Sequence, residues 1–337
     1  MRGWIYSEKV RAHQPVAPRC EVERVVVVAV VGEALIDLIQ EADGRYRPTP
    51  GGAPANVAIA LTRLGIDTRF FGRLGNDRFG ALVGENLRRN GVALDHCVQA
   101  TEPTSVAVAN RGQGGAAEYS FYINGTADWQ WTADELGHLG KNARALHLGS
   151  LAAIMEPGAS VIAEQVERIF AAGKTLISFD LNLQPSLGVS REREHERVSR
   201  LVASAHIVKT SVGDLRWLYP DRLPGEVAEI WSRSRAVVLT RGGDGVSLFR
   251  PGVRPVDVPA RPTTVVDTVA AGDTFVAALL YRLLSGVGKD PAALLRQGPT
   301  EWIEHLRFAN AAASLACEWP GANPPMLSEV NRAFDGN

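Results

Sequence analysis

A carboxylate at the start of a helix, preceded only by small residues, can manage a proton beside an anion. Residues 265–275 read VVDTVAAGDTF, where Asp273 follows Ala270, Ala271 and Gly272. Phe275, Val276, Leu279, Leu280 and Leu283 come next at helical spacing. The first amides of a helix have no partner within it, and the macrodipole favours negative charge there. With nothing bulkier than a methyl group before it, a phosphate can lie against those amides while Asp273 accepts a proton from an attacking hydroxyl. Phosphoryl transfer needs that pairing of a base for the nucleophile with donors for the transferring oxygens. An alcohol is too weak an acid for a carboxylate to ionise beforehand, so the proton moves late or in concert. On this strip alone, an ordinary acidic helix-start residue is the competing explanation.

Other strips combine turn residues with polar groups. Asp37 follows a first apolar strand, and Gly51 and Gly52 precede a helix with Asn56 in its first turn. The glycine pair permits close backbone approach, and Asn56 offers both donor and acceptor, a set suited to a polyhydroxylated ligand. Singly, each position is equally a helix cap or tight turn. GRLGNDRFG (72–80), with Asp77, is either a structural turn or a ligand-side loop. FDLNLQP (179–185) ends a strand with Asp180 and Asn182, placed for phosphate or metal-bound water. Ser211 and Asp214, three apart, read by themselves as a helix cap and its acidic first-turn residue. Thr240, Gly242 and Gly245 close another strand in what is otherwise a plain turn. The usual nucleotide motifs are absent: AAGKT (171–175) has Arg168 where a phosphate-binding loop needs its first glycine, and neither RGGDGVS (241–247) nor GQGGAA (112–117) contains Gly-x-Gly-x-x-Gly.

The elements that hold these residues alternate. Strand runs at Val25–Val31, Ala145–Leu148, Thr175–Phe179, His206–Lys209 and Val237–Leu239 are interleaved with helical patterns at Ala55–Leu64, Ala81–Asn90, Ser160–Ala171, Arg191–Ala203, Thr274–Leu284 and Glu301–Cys317. This order predicts an α/β fold, a doubly wound and mostly parallel sheet with helices on both faces. Ligands of such sheets sit beyond the carboxyl ends of the strands, where the strips above fall. Residues 104–123 alternate with period two around a glycine-rich turn, predicting a hairpin that forms a small separate sheet with 44–50. The 337 residues are 45% hydrophobic and 22% charged, with a net charge of −1. No basic block suggests nucleic acid or a membrane surface as partner, and no stretch is long enough to span a bilayer. Cys20, Cys97 and Cys317 are few, odd in number and dispersed, which predicts a reducing, cytoplasmic location without disulfides. The run RVVVVAVVG reads as a buried first strand rather than a signal peptide, and residues 1–24 as a loose extension.

Two longer strips carry a family resemblance: GGAPANVAIALTRLG…FFGRLGNDRFG and DTVAAGDTF. Over roughly residues 25–330 the chain resembles the ribokinase-like (PfkB) carbohydrate kinases, most of all bacterial fructokinases. That likeness implies a ribokinase-like fold, with a β-sheet lid formed by about 38–50 and 102–126 and a C-terminal tail at 331–337. It implies transfer of the ATP γ-phosphate to a sugar hydroxymethyl group. Asp273 would be the base, and Ala271, Gly272 and Asp273 would supply anion-hole amides. Asp37, Gly51, Gly52 and Asn56 would hold the sugar. Asn182, Ser211, Asp214, Thr240, Gly242 and Gly245 would line the ATP and Mg²⁺ side, with Asp214 reaching Mg²⁺ through water and Asn310 near the adenine. Asp267 and the backbone of Val269 match positions that hold a monovalent cation such as K⁺, and the lid would form a homodimer contact. Ala270 stands where the motif often has Gly, Gln184 where it has Arg, and Ser211…Asp214 where it has Asn and Glu. GEALID, GGAPANVA and FYINGTAD point to fructose as the sugar, although Ile123 replaces a lid residue that is often basic. A kinase for 2-keto-3-deoxygluconate or another ketose or ribose-type sugar is the alternative, as is a catalytically silent sugar sensor.

Overall fold

A computed structural model describes residues 26–41, 43–111, 117–286 and 291–336. The expected 1–24 extension, Val25 of the first strand and most of the GQGGAA turn lie outside these residues. The main sheet has eight strands in the order Val253–Val258, Val246–Arg250, Ala236–Thr240, Ile207–Ser211, Leu176–Asp180, Ala145–Gly149, Val27–Val31 and Asp67–Phe71. The first two are antiparallel additions at one edge, and the other six run parallel. Buried β-branched runs form the centre because both faces are covered. In Val27–Val31, Val28 and Val30 pack with the helices Ala53–Arg63, Ala271–Gly286 and Pro299–Cys317, while Ala29 and Val31 join the core on the other side. That second core takes in Gly158–Ala171, Arg191–Ala203, Val212–Leu218 and Pro224–Trp231.

A second sheet of four strands runs Tyr46–Gly51, Leu35–Gln40, Val106–Arg111 and Ala117–Tyr122. Its middle pair is parallel and both outer pairs are antiparallel. It therefore uses Leu35–Gln40 as well as the two segments expected from the sequence. Buried polar bonds fix its foot. Asp128 accepts from the Ala34 amide at 2.8 Å and from the Ser105 hydroxyl. Asp77 accepts from the Gly80 amide at 2.8 Å, capping the helix Arg78–Arg89, and from the Thr104 amide at 2.8 Å. Asp77 thus takes the structural part of its two expected roles. Ile123 is buried at this foot, where its carbonyl accepts from the Trp129 indole at 2.8 Å.

Residues 331–335, expected as a tail, instead complete the helix Leu327–Asp335. Val330 is fully buried and Phe334 packs edge-on against Phe308 with ring centroids 5.6 Å apart, and these apolar contacts hold the segment in place. Among the described residues no helix is long and apolar enough to cross a membrane.

Candidate active site

The Asp273 helix begins at Ala271, at the carboxyl-terminal edge of the parallel strands. Ala270, just before it, has φ 59°, a left-handed conformation that costs a residue with a Cβ about 1–2 kcal/mol and turns the chain sharply into the helix. The Ala271 amide donates to the Thr268 carbonyl at 3.2 Å. The donors open to a ligand are therefore the Gly272 and Asp273 amides, a narrower set than the family likeness implies.

Asp273 is buried, and its Oδ2 accepts from Asn56 Nδ2 at 2.9 Å. Burial pushes its carboxyl up to about 7; the Asn56 bond pulls back, Asp180 pushes further, Lys209 opposes and Asp37 adds a final push. Two helix starts, 217 residues apart in sequence, thus share one hydrogen bond. Gly52 (φ 103°) turns the chain into the Asn56 helix, Ala53–Arg63. At Gly51 a Cβ would lie 2.1 Å from Asp37 Oδ2, so only glycine admits the Asp37 carboxylate against this backbone. Burial raises the Asp37 carboxyl to about 6. Burial raises the Tyr119 phenol of the small sheet, and the charges of Asp37 and Asp267 add to it; its strand approaches the turn Pro185–Leu187 of the main body. The small sheet, which carries Asp37 on a middle strand, therefore borders this side of the site.

On the other side of the helix start stands Lys209. It pairs across adjacent strands with Asp180, Nζ to Oδ2 at 2.9 Å, and both are buried. Burial pushes the Asp180 carboxyl up to about 6 while the ammonium pulls it back; burial works against the Lys209 ammonium, but the facing Asp180 outweighs it and favours the charged form. A Cβ added at Gly272 would lie 3.0 Å from Lys209 Nζ. Asn182, at φ 40°, donates to the Ser150 hydroxyl at 3.4 Å.

Ser211 and Asp214 form a reciprocal capping box on the helix Val212–Leu218. Asp214 Oδ1 accepts from the Leu183 amide at 2.9 Å, and Oδ2 from the Ser211 amide at 2.7 Å and its hydroxyl at 2.8 Å. Its carboxylate is thus largely committed to the protein. Asp180 Oδ1, by contrast, is buried without a hydrogen-bond partner among the described residues. Thr240 donates to the Thr210 carbonyl at 3.2 Å, and Gly242 and Gly245 take positive φ in the turn that follows. Asn310 donates to the Pro259 carbonyl at 2.9 Å. Asp267 accepts from the Val269 amide at 3.0 Å and the Gly321 amide at 2.7 Å, binding its loop into a compact turn.

Lys209 and Tyr119 are the residues of this site that the sequence left unnoticed. A lysine inside HIVKTS reads as a strand end, and its partner lies 29 residues away, so no local spacing marks the pair. Tyr119 sits in an alternating strand whose position beside the site depends on the fold of the whole small sheet.

The model for the pfkB family of carbohydrate kinases matches residues 27–329, and the chain belongs to that family. It is 35% identical over 316 residues to fructokinase-1 of Zea mays, a match that covers 90% of this chain and 95% of that one. It is also 35% identical over 263 residues to a fructokinase of Rhizobium leguminosarum bv. trifolii, covering 76% and 79%. Among solved structures, the fructokinase of Xylella fastidiosa with bound ATP superposes with TM-score 0.84 at 31% identity, covering 92% of this chain and 98% of that one. A fructokinase of Vibrio cholerae O395 carrying fructose, ADP and potassium superposes with TM-score 0.79 at 27% identity, covering 94% and 99%. The chain is an ATP-dependent sugar kinase of ribokinase-like fold.

Proposed function

We propose that this kinase phosphorylates the hydroxymethyl group of fructose to give fructose 6-phosphate. The observation that carries the mechanism is the meeting of Asp273 with Asn56 at a helix start whose Gly272 and Asp273 amides are free, with Asp37 close by. The choice of fructose rests on the names of the relatives. Asp37, the Gly51–Gly52 backbone and Asn56 hold the sugar. The Asp273 carboxylate orients the attacking hydroxyl and takes its proton as the oxygen–phosphorus bond forms, and the Gly272 and Asp273 amides receive the charge on the transferring phosphate. Such donors are worth roughly 3–4 kcal/mol each in comparable oxyanion sites. Asn182, Ser211, Thr240, Gly242, Gly245 and Asn310 line the nucleotide side.

The buried Asp180 Oδ1, without a hydrogen-bond partner among the described residues, suits a divalent ion or its water, with Asp214 beside it. Held there, Mg²⁺ would neutralise charge on the nucleotide phosphates. Each Asp267 oxygen accepts a single described amide, which leaves lone pairs for a monovalent cation held together with the Val269 backbone. We assign the protein to the cytoplasm and its lid to a homodimer contact, which Tyr46 and Tyr122, exposed on the face of the small sheet opposite Asp37, support.

The test is ADP release from Mg-ATP across a panel of sugars, run beside Asp273→Asn. Fructose is expected to turn over fastest, with a loss of about 10²–10⁴ in rate in the variant. Faster turnover of another ketose would replace the substrate, and an unimpaired Asp273→Asn would remove Asp273 as base.

A further inference from the structure

Lys209 is an ammonium buried among carboxylates, yet its only described hydrogen bond is the one to Asp180 Oδ2. An ammonium has three donors, so part of its capacity is unused. The bare Cα of Gly272 lets Nζ come close to the positive end of the Asp273 helix, where two amides are also without acceptors. A cation facing the positive end of a helix dipole is unfavourable by itself. An anion placed between them turns both features into contacts. The position where the family motif has a positively charged residue is Gln184 here, which cannot supply charge.

We propose that Lys209 is a catalytic residue that neutralises the transferring phosphate opposite the Gly272 and Asp273 amides, with Asp180 as the residue that positions it. This rests on the kinase mechanism above. The sugar oxygen forms its bond to the γ-phosphorus, the bond from that phosphorus to the β-bridging oxygen breaks, and ADP leaves with the electron pair. The hydroxyl proton goes to Asp273. Lys209 stays protonated throughout and contributes charge and direction only. Its pairing with Asp180 holds the ammonium at the carboxyl edge of the sheet while the phosphate subsite is empty, and its spare donors turn to the phosphate when ATP enters.

The rival role for Lys209 is purely structural: it would serve only to neutralise buried Asp180. Lys209→Met, Asp180→Asn, the double variant and Lys209→Arg separate the two. Each is measured for turnover with fructose and, by calorimetry without sugar, for affinity toward ADP and toward a non-hydrolysable ATP analogue. Lys209→Met is expected to lower kcat about 10²–10³-fold, the size seen on removing one oxyanion donor. It should weaken the ATP analogue more than ADP and leave the fructose KM within about threefold. The double variant, which removes both members of the ion pair, should fold as the wild type does and be slower than Asp180→Asn, which loses the same candidate metal contact but keeps the ammonium. Lys209→Arg should recover part of the discrimination between the analogue and ADP. A double variant no slower than Asp180→Asn, or equal weakening of both nucleotides by Lys209→Met, would overturn the proposal. If the wild type turned over no fructose, the substrate assignment would fail, while the contrast between ADP and the analogue would still decide the role of Lys209.

Discussion

At the scale of single residues, the proposed chemistry turns on the state of Asp273. A carboxyl held near 7 is only partly ionised at neutral pH, and only the carboxylate can accept the proton of an attacking hydroxyl. The kcat/KM for sugar should therefore rise with pH along a limb centred near 7 and level off above it. The groups that set this limb are Asn56 and Lys209, which favour the carboxylate, and Asp180 and Asp37, which oppose it. Removing the Asn56 bond leaves burial and two like charges with less opposition. Asn56→Ala should move the limb to higher pH as well as weaken sugar binding, a combination that a mere sugar contact would not produce. A pH–rate series on wild type and variant checks this. An unmoved limb would mean that Asn56 holds sugar without tuning the base.

At the scale of elements, the sequence disclosed what local pattern can disclose. The central strands are buried on both faces, so they appear as unbroken runs such as Val27–Val31 and Ala236–Thr240. The long helices show their period, although capping turns such as Ala53–Pro54 and Arg78–Gly80 extend them beyond the apolar pattern. The edges were not legible. Asp67–Phe71 mixes polar and aromatic residues because it is the edge strand, with only a single bridge from Arg69 to Ala93 on its outer side, and Val246–Arg250 with Val253–Val258 reverses the sheet direction after a turn that ends the parallel rhythm. Of the site, the strip around Asp273 was legible because small residues before a helix carry their own meaning, whereas the Lys209–Asp180 pair exists only through strand register. Asp77 could equally have been a turn or a ligand residue, and the fold decides between them: it caps Arg78–Arg89 and ties that helix to Thr104 at the lid's foot. Loss of a cap costs about 1 kcal/mol and the Thr104 bonds about 1 kcal/mol more. Asp77→Ala should thus lower the thermal midpoint by about 3 °C in a chain this long. Its effect on activity should appear in the sugar KM through a looser lid rather than in kcat. A fall in kcat with an unchanged midpoint would return Asp77 to the ligand side.

At the scale of the whole molecule, the fold gathers acidic groups where water cannot reach them. Burial lifts Glu33 and Asp273 to about 7 and Asp37, Asp128 and Asp180 to about 6. Three of these lie at the candidate site; Asp128 fastens the lid's foot, and Glu33 accepts from the Ala152 amide at 3.0 Å beside it. A carboxyl whose folded pKa exceeds its unfolded value binds its proton more tightly in the folded chain. Its contribution is full below the unfolded value and is lost as pH rises through the folded one. Buried His147 and His305, lowered to about 3 and about 4, act in the opposite sense, because the unfolded chain takes up their protons below about 6.5. Between pH 5.5 and 8 the five carboxyls outweigh the two histidines by about 4 kcal/mol. The ligand-free protein should therefore melt about 5 °C lower at pH 8 than at pH 5.5, and Asp273→Asn, which cannot ionise, should flatten that slope. A midpoint that is level or rising over this range would show that the lid opens enough to hydrate these carboxyls when no ligand is bound. The same charges that make the empty site uneasy at neutral pH give it reason to close on a polyhydroxylated sugar and a cation-bearing nucleotide, so saturating both ligands should erase most of the pH dependence.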